Sequence, residues 1–281
     1  MFRLYIAAAL LLAAVAAEAA DTLYINRGTF VTIKKTSFQA LAVNSSPVYQ
    51  QNSLVIHKTP GSDLTLVIIN NDTAIHGFAV KELIAPVVIL PGKSISVTST
   101  LLKEGLYLFY DQIDYPKNTY LGVSGMIAVA NSDYRSFFWN LREYQSSLNG
   151  SLVQGKSFTK PSYNPDYFTV NGLSYPDIQN DTTARVWGSV GDTIRIYMAN
   201  TGQSMHSIHF HGFHAKCLYS TSMDIRVGWS KDTWAIRPMQ GIILELVVDK
   251  MGKYSVHDHN LVAVSAAGTH PNGMFMIMEM K

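Results

Sequence analysis

One cysteine, Cys217, stands alone in 281 residues, so no disulfide can form within the chain and its stability must come from packing. Charge is also scarce. Asp, Glu, Lys and Arg make up 15% of the chain, with a formal net charge of +2. No basic stripe of the kind that tracks a phosphate backbone is present, which removes nucleic acid as a partner. Long apolar runs are few: the leading candidate, Leu4–Ala17 behind Arg3, is too short to span a bilayer. It ends at Ala17-Glu18-Ala19, a small-x-small cleavage site. Residues 1–19 therefore read as a signal peptide cut before Ala20, which predicts a secreted or periplasmic protein with no membrane span. Cys217 lies too far from that cut to serve as a lipid anchor.

Alternating stretches such as Leu64-Thr-Leu-Val-Ile-Ile69, Thr193-Ile-Arg-Ile-Tyr-Met198 and Met274-Phe-Met-Ile-Met278 predict β-strands, separated by Asn, Gly, Asp and Pro. Their regular spacing indicates sandwiches or barrels. The chain also repeats itself. Glu104-Gly-Leu-Tyr-Leu-Phe-Tyr110-Asp111-Gln112 aligns without a gap on Met251-Gly-Lys-Tyr-Ser-Val-His257-Asp258-His259. Upstream, Asn70 and Ile75-His76 align with Asn200 and Ile208-His209. A repeat of this length predicts two homologous β domains, 20–131 and 167–281. The linker, 132–166, carries Phe137, Phe138, Leu141 and Tyr144 at helical spacing before Asn149-Gly150, so a short helix is expected over Ser132–Leu148.

Seven of the nine histidines fall between Met205 and His270, six of them in two clusters: His206-Ser-Ile-His209-Phe-His211-Gly-Phe-His214 and His257-Asp258-His259. In a strand, residues i and i+2 share a face. Two adjacent strands would then present His209, His211, His257 and His259 on one side, with His206 and Asp258 on the other. Imidazole without thiolate suits copper, zinc, iron or nickel and argues against calcium or magnesium.

The pattern His206-x-x-His209-x-His211-Gly212 followed by Gly252-x-Tyr254-x-x-His257-x-His259 resembles the copper signature of multicopper oxidases. Asn260-Leu261 after His259 is also similar to copper nitrite reductases. The resemblance implies an all-β chain of two tandem cupredoxin-like Greek-key sandwiches with copper as cofactor. By that resemblance, His209, His211, His257 and His259 match copper ligands, and His206 matches the first histidine of a type 1 site. Asp258 then stands where the type 1 cysteine belongs, so no blue copper centre is expected, since such a site needs the thiolate. In the first domain, Tyr110, Asp111 and Gln112 stand in ligand positions and Val123 near the axial methionine, which reads as a lost copper site.

His270 falls where a second type 1 histidine would sit, leaving two readings open. One is a His206–Asp258–His270 metal cluster, the other a plain Asp–His hydrogen-bond pair. The resembled families place this face against the first domain of a neighbouring subunit in a homotrimer, where the neighbour could offer His76 or Tyr110. The expected function is a copper-dependent oxidoreductase acting directly on a small molecule or metal ion. The alternative is a storage, buffering or sensing protein of the same fold. A zinc hydrolase reading of His209-x-His211-x-x-His214 fails on the absence of alternating helices. A cupin reading fails on the missing downstream Glu. Met274, Met276, Met278 and Met280 share a strand face and read as core rather than as a Cu(I) site.

Overall fold

The structure, a computed structural model, describes residues 20–100, 102–156, 163–222 and 226–281. The expected signal segment lies outside the described residues. The first sandwich comprises β1 (Asp21–Val31), β2 (Ser37–Asn44), β3 (Val55–Lys58), β4 (Leu64–Asn70), β5 (His76–Val80), β6 (Ile84–Ile89), β7 (Ser94–Ser99), β8 (Gly105–Tyr110) and β9 (Ser124–Val129). A short helix, α1 (Lys117–Leu121), joins β8 to β9. The sheets run β2-β1-β4-β7 and β3-β9-β8-β5-β6. In β4 the alternation read from sequence is the burial pattern: Leu64, Leu66 and Ile68 are buried, while Thr65, Val67 and Ile69 are half-buried.

The second sandwich begins earlier than the repeat suggests, with β10 (Arg135–Tyr144), followed by helix α2 (Ser146–Val153) and β11 (Tyr167–Val170). After these come β12 (Trp187–Gly188), β13 (Thr193–Asn200), β14 (His206–Phe210), β15 (Ala215–Ser220), β16 (Ser230–Lys231), β17 (Thr233–Ile236), β18 (Gln240–Val247), β19 (Gly252–Asp258) and β20 (Phe275–Met280). The sheets run β11-β10-β13-β18-β15-β16 and β12-β20-β19-β14-β17.

The helix expected over Ser132–Leu148 is displaced. Phe137, Phe138, Leu141 and Tyr144 lie in β10, which pairs in parallel with β13 from Arg135↔Ile194 to Leu141↔Asn200. The last six residues of β10 are all buried, so both faces of the strand are covered and no period of two survives to mark it. The helix itself follows as α2.

Each sandwich has its own core. Leu23, Ile68, Phe78 and Phe109 belong to the first; Trp139, Phe210, Trp234 and Leu244 belong to the second. Met274, Met276, Met278 and Met280 lie in that second core, as does Cys217. A third cluster welds the domains: Leu106, Leu108, Met126 and Ala128 pack on Tyr197, Ala199 and Ile243. Gly241 marks the close approach, because a Cβ there would lie 3.1 Å from the Leu106 and Leu108 side chains. Among the described residues no helix is long and apolar enough to cross a membrane.

Candidate metal centre

Strands β14 and β19 run antiparallel with His209 directly opposite His257. The ladder continues past both strand ends: His211 N–H donates to Ser255 O at 3.0 Å and His259 N–H to Ser207 O at 2.7 Å. All four rings therefore stand on one face. The ring centroid of His209 lies 4.7 Å from that of His211, 5.8 Å from His257 and 5.7 Å from His259. His211 and His259 are exposed, His209 and His257 half-buried. After His211 the chain turns at Gly212, whose φ of +76° favours glycine, with the Tyr254 ring 2.8 Å from where a Cβ would sit.

Two of these rings are already oriented by their inner nitrogens. His257 Nδ1 lies 2.9 Å from the carbonyl oxygen of Asp258, which can only accept, so Nδ1 carries the proton and Nε2 the lone pair. His209 Nδ1 lies 2.9 Å from Thr233 Oγ1. Such outer contacts fix a histidine's tautomer and aim its other nitrogen at a metal. His211 Nε2 and His257 Nε2 face each other at 3.0 Å. With metal–nitrogen bonds of about 2.0–2.1 Å, two ligands of one ion stand roughly 3 Å apart, so the spacing of this pair matches two such ligands once the hydrogen bond between them is given up. Burial and the neighbouring imidazoles of His209, His257 and His259 lower the pKa of His211, which keeps its lone pair available at neutral pH. Among the described residues, no group of three or more His, Cys, Asp or Glu side chains is placed to hold a metal ion. The four rings share one face, open toward the exposed side.

Beneath this face lies a second arrangement, fully buried. His206 Nδ1 donates to Asp258 Oδ2 at 2.6 Å and Nε2 to Glu143 Oε2 at 2.9 Å. Both nitrogens are spent on carboxylates, which makes His206 an imidazolium and leaves neither nitrogen for a metal. His270 is not part of this cluster. It is exposed and its Nδ1 donates to Val264 O at 3.0 Å. Of the two readings left open above, the hydrogen-bonded pair is the one observed, enlarged by Glu143 from β10. Asp258 Oδ1 also accepts from the backbone N–H of Ser207 and Asn260, at 3.0 and 2.9 Å. One carboxylate thus ties β14 to the end of β19, between the two strands that carry the outer histidines.

The first domain contains the same clamp. His76 donates from Nδ1 to Asp111 Oδ2 at 2.7 Å and from Nε2 to Asp72 Oδ2 at 2.8 Å. Asp111 Oδ1 accepts from Gly77 and Ile113 N–H, the counterparts of Ser207 and Asn260. Thus His76 is the counterpart of His206, not of His209 as the repeat alignment had it, and its full burial removes it as a ligand offered across a subunit interface. Carried forward without a gap, this register places Ala79, Lys81, Tyr110 and Gln112 where the second domain has His209, His211, His257 and His259. The pairing agrees, since Ala79 lies opposite Tyr110 as His209 lies opposite His257.

One position differs. The counterpart of Asp72 is Gly202, and a Cβ built there would fall on Glu143 Oε2. The Glu143 carboxylate fills the space that a side chain at 202 would occupy. It is fully satisfied, accepting also from Gln203 N–H, Ser204 N–H and the Tyr163 hydroxyl, each at 2.7 Å. Sequence reading missed Glu143 because it was assigned to a linker helix. The one signal was the glycine standing in an otherwise matching repeat.

The clamp makes stability depend on pH. Burial alone would lower the pKa of His206, but hydrogen bonds to Asp258 and Glu143 raise it to about 9. Burial alone would raise Glu143, but His206 and its other donors bring it down to about 2. The two shifts express one interaction and do not add. Because the histidine's folded pKa is raised, its contribution is complete below its ordinary value of 6.5 and is lost as pH climbs through about 9. The glutamate's is complete above 4.5 and lost as pH falls through about 2. Thermal denaturation of metal-free protein should show its highest melting temperature between pH 5 and 6.5 and a decline toward pH 9. A flat profile from 6.5 to 9 would contradict a charged His206.

Residues 151–276 match the family model described as multicopper oxidase. No curated protein matches the chain significantly. Among solved structures, the blue copper oxidase from Nitrosomonas europaea is similar with a TM-score of 0.77 and 20% identity, over 92% of this chain and 85% of that one. A multicopper oxidase, mgLAC, gives 0.75 and 18% over 92% and 85%. The copper nitrite reductase from Nitrosomonas europaea gives 0.70 and 17% over 92% and 93%. Identities this low establish the shared two-sandwich fold, and the family match adds the multicopper oxidase domain that carries the histidine motifs. Residues 151–276, which hold both histidine clusters and the one cysteine, buried in the core, thus match the multicopper oxidase family model, and the chain as a whole shares the two-sandwich fold of these solved copper proteins.

Proposed function

We propose that this is an exported copper protein that binds copper on the face of His209, His211, His257 and His259 and acts directly on a small molecule or metal ion as an oxidoreductase. The observation that carries this reading is the His211–His257 pair, with Nε2 atoms 3.0 Å apart and the His257 tautomer set by the Asp258 carbonyl. Copper suits an imidazole-only set and would supply one-electron chemistry there. The chain's own part is to hold neutral imidazoles at fixed spacing, with Thr233 and the Asp258 carbonyl orienting their inner nitrogens. The exposure of His211 and His259 leaves an outer side that substrate can reach, which turnover requires.

A homotrimer in which the first domain of a neighbour completes the coordination sphere is part of the proposal, since no three of the four rings are by themselves placed to hold an ion. Of the first-domain groups expected from sequence, Tyr110 remains available and His76 does not. Storage or buffering is the second reading, favoured by the absence of a type 1 thiolate to relay electrons from a distant donor. Titration of purified protein with copper should give at least one ion per chain. Assays with phenol, cuprous ion, nitrite and superoxide then separate the readings: turnover of any of them supports catalysis, and tight binding with no turnover supports storage. Binding below one copper per chain removes both.

A further inference from the structure

The four first-domain positions that correspond to the outer histidines also line space. A cavity of about 380 Å³ is walled by Lys81, Tyr110, Gln112, Tyr115 and Met239. A neighbouring one of about 370 Å³ shares Lys81 and Tyr110 and is lined also by Ala79. The register that builds a histidine face in one domain therefore builds a concave site in the other. We propose that this site binds a small aromatic acid that carries a hydrogen-bond donor on its ring.

The walls are apolar and aromatic. Tyr110 and Tyr115 meet edge to face with centroids 5.9 Å apart, an arrangement that leaves ring surface open to a third aromatic group. Met239 reaches in from the second domain, just before β18. It holds a φ of +57°, a left-handed conformation uncommon for a residue other than glycine, while its N–H is tied to Asn200 O at 2.8 Å. The flexible thioether side chain lines the hollow as an adaptable wall.

The polar groups are few and uncommitted. Gln112 Nε2 donates to Val87 O at 2.8 Å, which fixes the amide's orientation, and Oε1 is then buried with no partner. A buried acceptor without a donor is costly unless something supplies one. Neither the Lys81 ammonium nor the Tyr110 hydroxyl has a protein partner among the described residues. A cation, a phenol and an orphaned amide oxygen around an apolar hollow of this size form the usual pattern of a small-ligand site. The ammonium selects an anion, the rings select an aromatic body, and Gln112 Oε1 selects a donor.

The test uses 4-hydroxybenzoate with the metal-free protein, followed by calorimetry and by amide chemical shifts. Saturable binding is expected, with shifts centred on Lys81, Tyr110 and Gln112. The neutral isostere 4-hydroxybenzamide should bind about tenfold more weakly, the worth of one charge-assisted contact. Lys81→Met should weaken the acid by a similar factor and leave the amide unchanged. Gln112→Leu should weaken both. The proposal is overturned by absence of saturable binding or by an unchanged affinity in Lys81→Met. It is equally overturned if the shifts centre on His211 and His257, which would place the ligand on the histidine face. Because the protein carries no metal in this experiment, failure here leaves the copper reading untouched, and failure of copper binding leaves this one untouched.

Discussion

Glu143→Ala is expected to lower stability by about 3–5 kcal/mol, the cost of leaving a buried imidazolium without one of its carboxylates. The loss extends beyond the ion pair, because Gln203 N–H, Ser204 N–H and the Tyr163 hydroxyl also donate to the same carboxylate. The space opened is the space a side chain at 202 would fill. Adding Gly202→Asp to Glu143→Ala should therefore recover a substantial part of the loss, because it rebuilds the first domain's clamp, in which Asp72 holds His76. Gly202→Asp alone should destabilise, since its Cβ would fall on Glu143 Oε2. Chemical denaturation of the three variants is the check. No recovery in the double variant would mean that the two clamps are not interchangeable.

The second large effect concerns metal. His257→Ala with His259→Ala removes half of the imidazoles, one of them from the facing pair, and should abolish copper binding at this face. Fold should persist, because His259 is exposed and His257 half-buried, while the strand is held by its ladder to β20 and by Asp258, which stays buried beneath. Copper content after dialysis, read together with an unchanged far-ultraviolet circular dichroism spectrum, distinguishes loss of ligands from loss of fold. Glu143→Gln offers a contrast. It keeps a hydrogen-bonding group near His206 but removes a charge, so it should shift the pH profile of stability while leaving copper stoichiometry intact.

Much of this was legible in the residues. The division of the histidines between two faces followed from strand parity alone: His206 and Asp258 are fully buried, while the four others reach the surface. The core methionines followed from the same period. What was not legible came from places where periodicity fails or identity misleads. In β10, burial on both faces erased the alternation and left a spurious helical spacing, which hid Glu143. In the repeat, the attraction of matching one histidine to another set His76 on His209. The gapless register through Asn70 and Asn200 points instead to His206, and the two asparagines make matching contacts: each donates to carbonyls four residues ahead and at the end of a neighbouring strand. Side-chain identity is weaker evidence of equivalence than an unbroken register, because a slip of one residue reverses every face.

The two domains share the clamp and differ around it. Both keep an imidazolium between two carboxylates as the internal tie between neighbouring strands. The second carboxylate comes from Asp72 in one and from Glu143 in the other, and the outer positions are Ala79, Lys81, Tyr110 and Gln112 in the first domain and histidines in the second. A scaffold whose rigid part is buried can exchange surface chemistry at low cost to stability.

Copper is expected on the outer face of the second domain and not in the buried clamp beneath it. Anomalous scattering at the copper edge from crystals of copper-loaded protein tests this most directly. A copper peak is expected at about 2 Å from the Nε2 atoms of His211 and His257, with none between His206 and Asp258. A peak in the clamp, or no peak within bonding distance of those two rings, would contradict it.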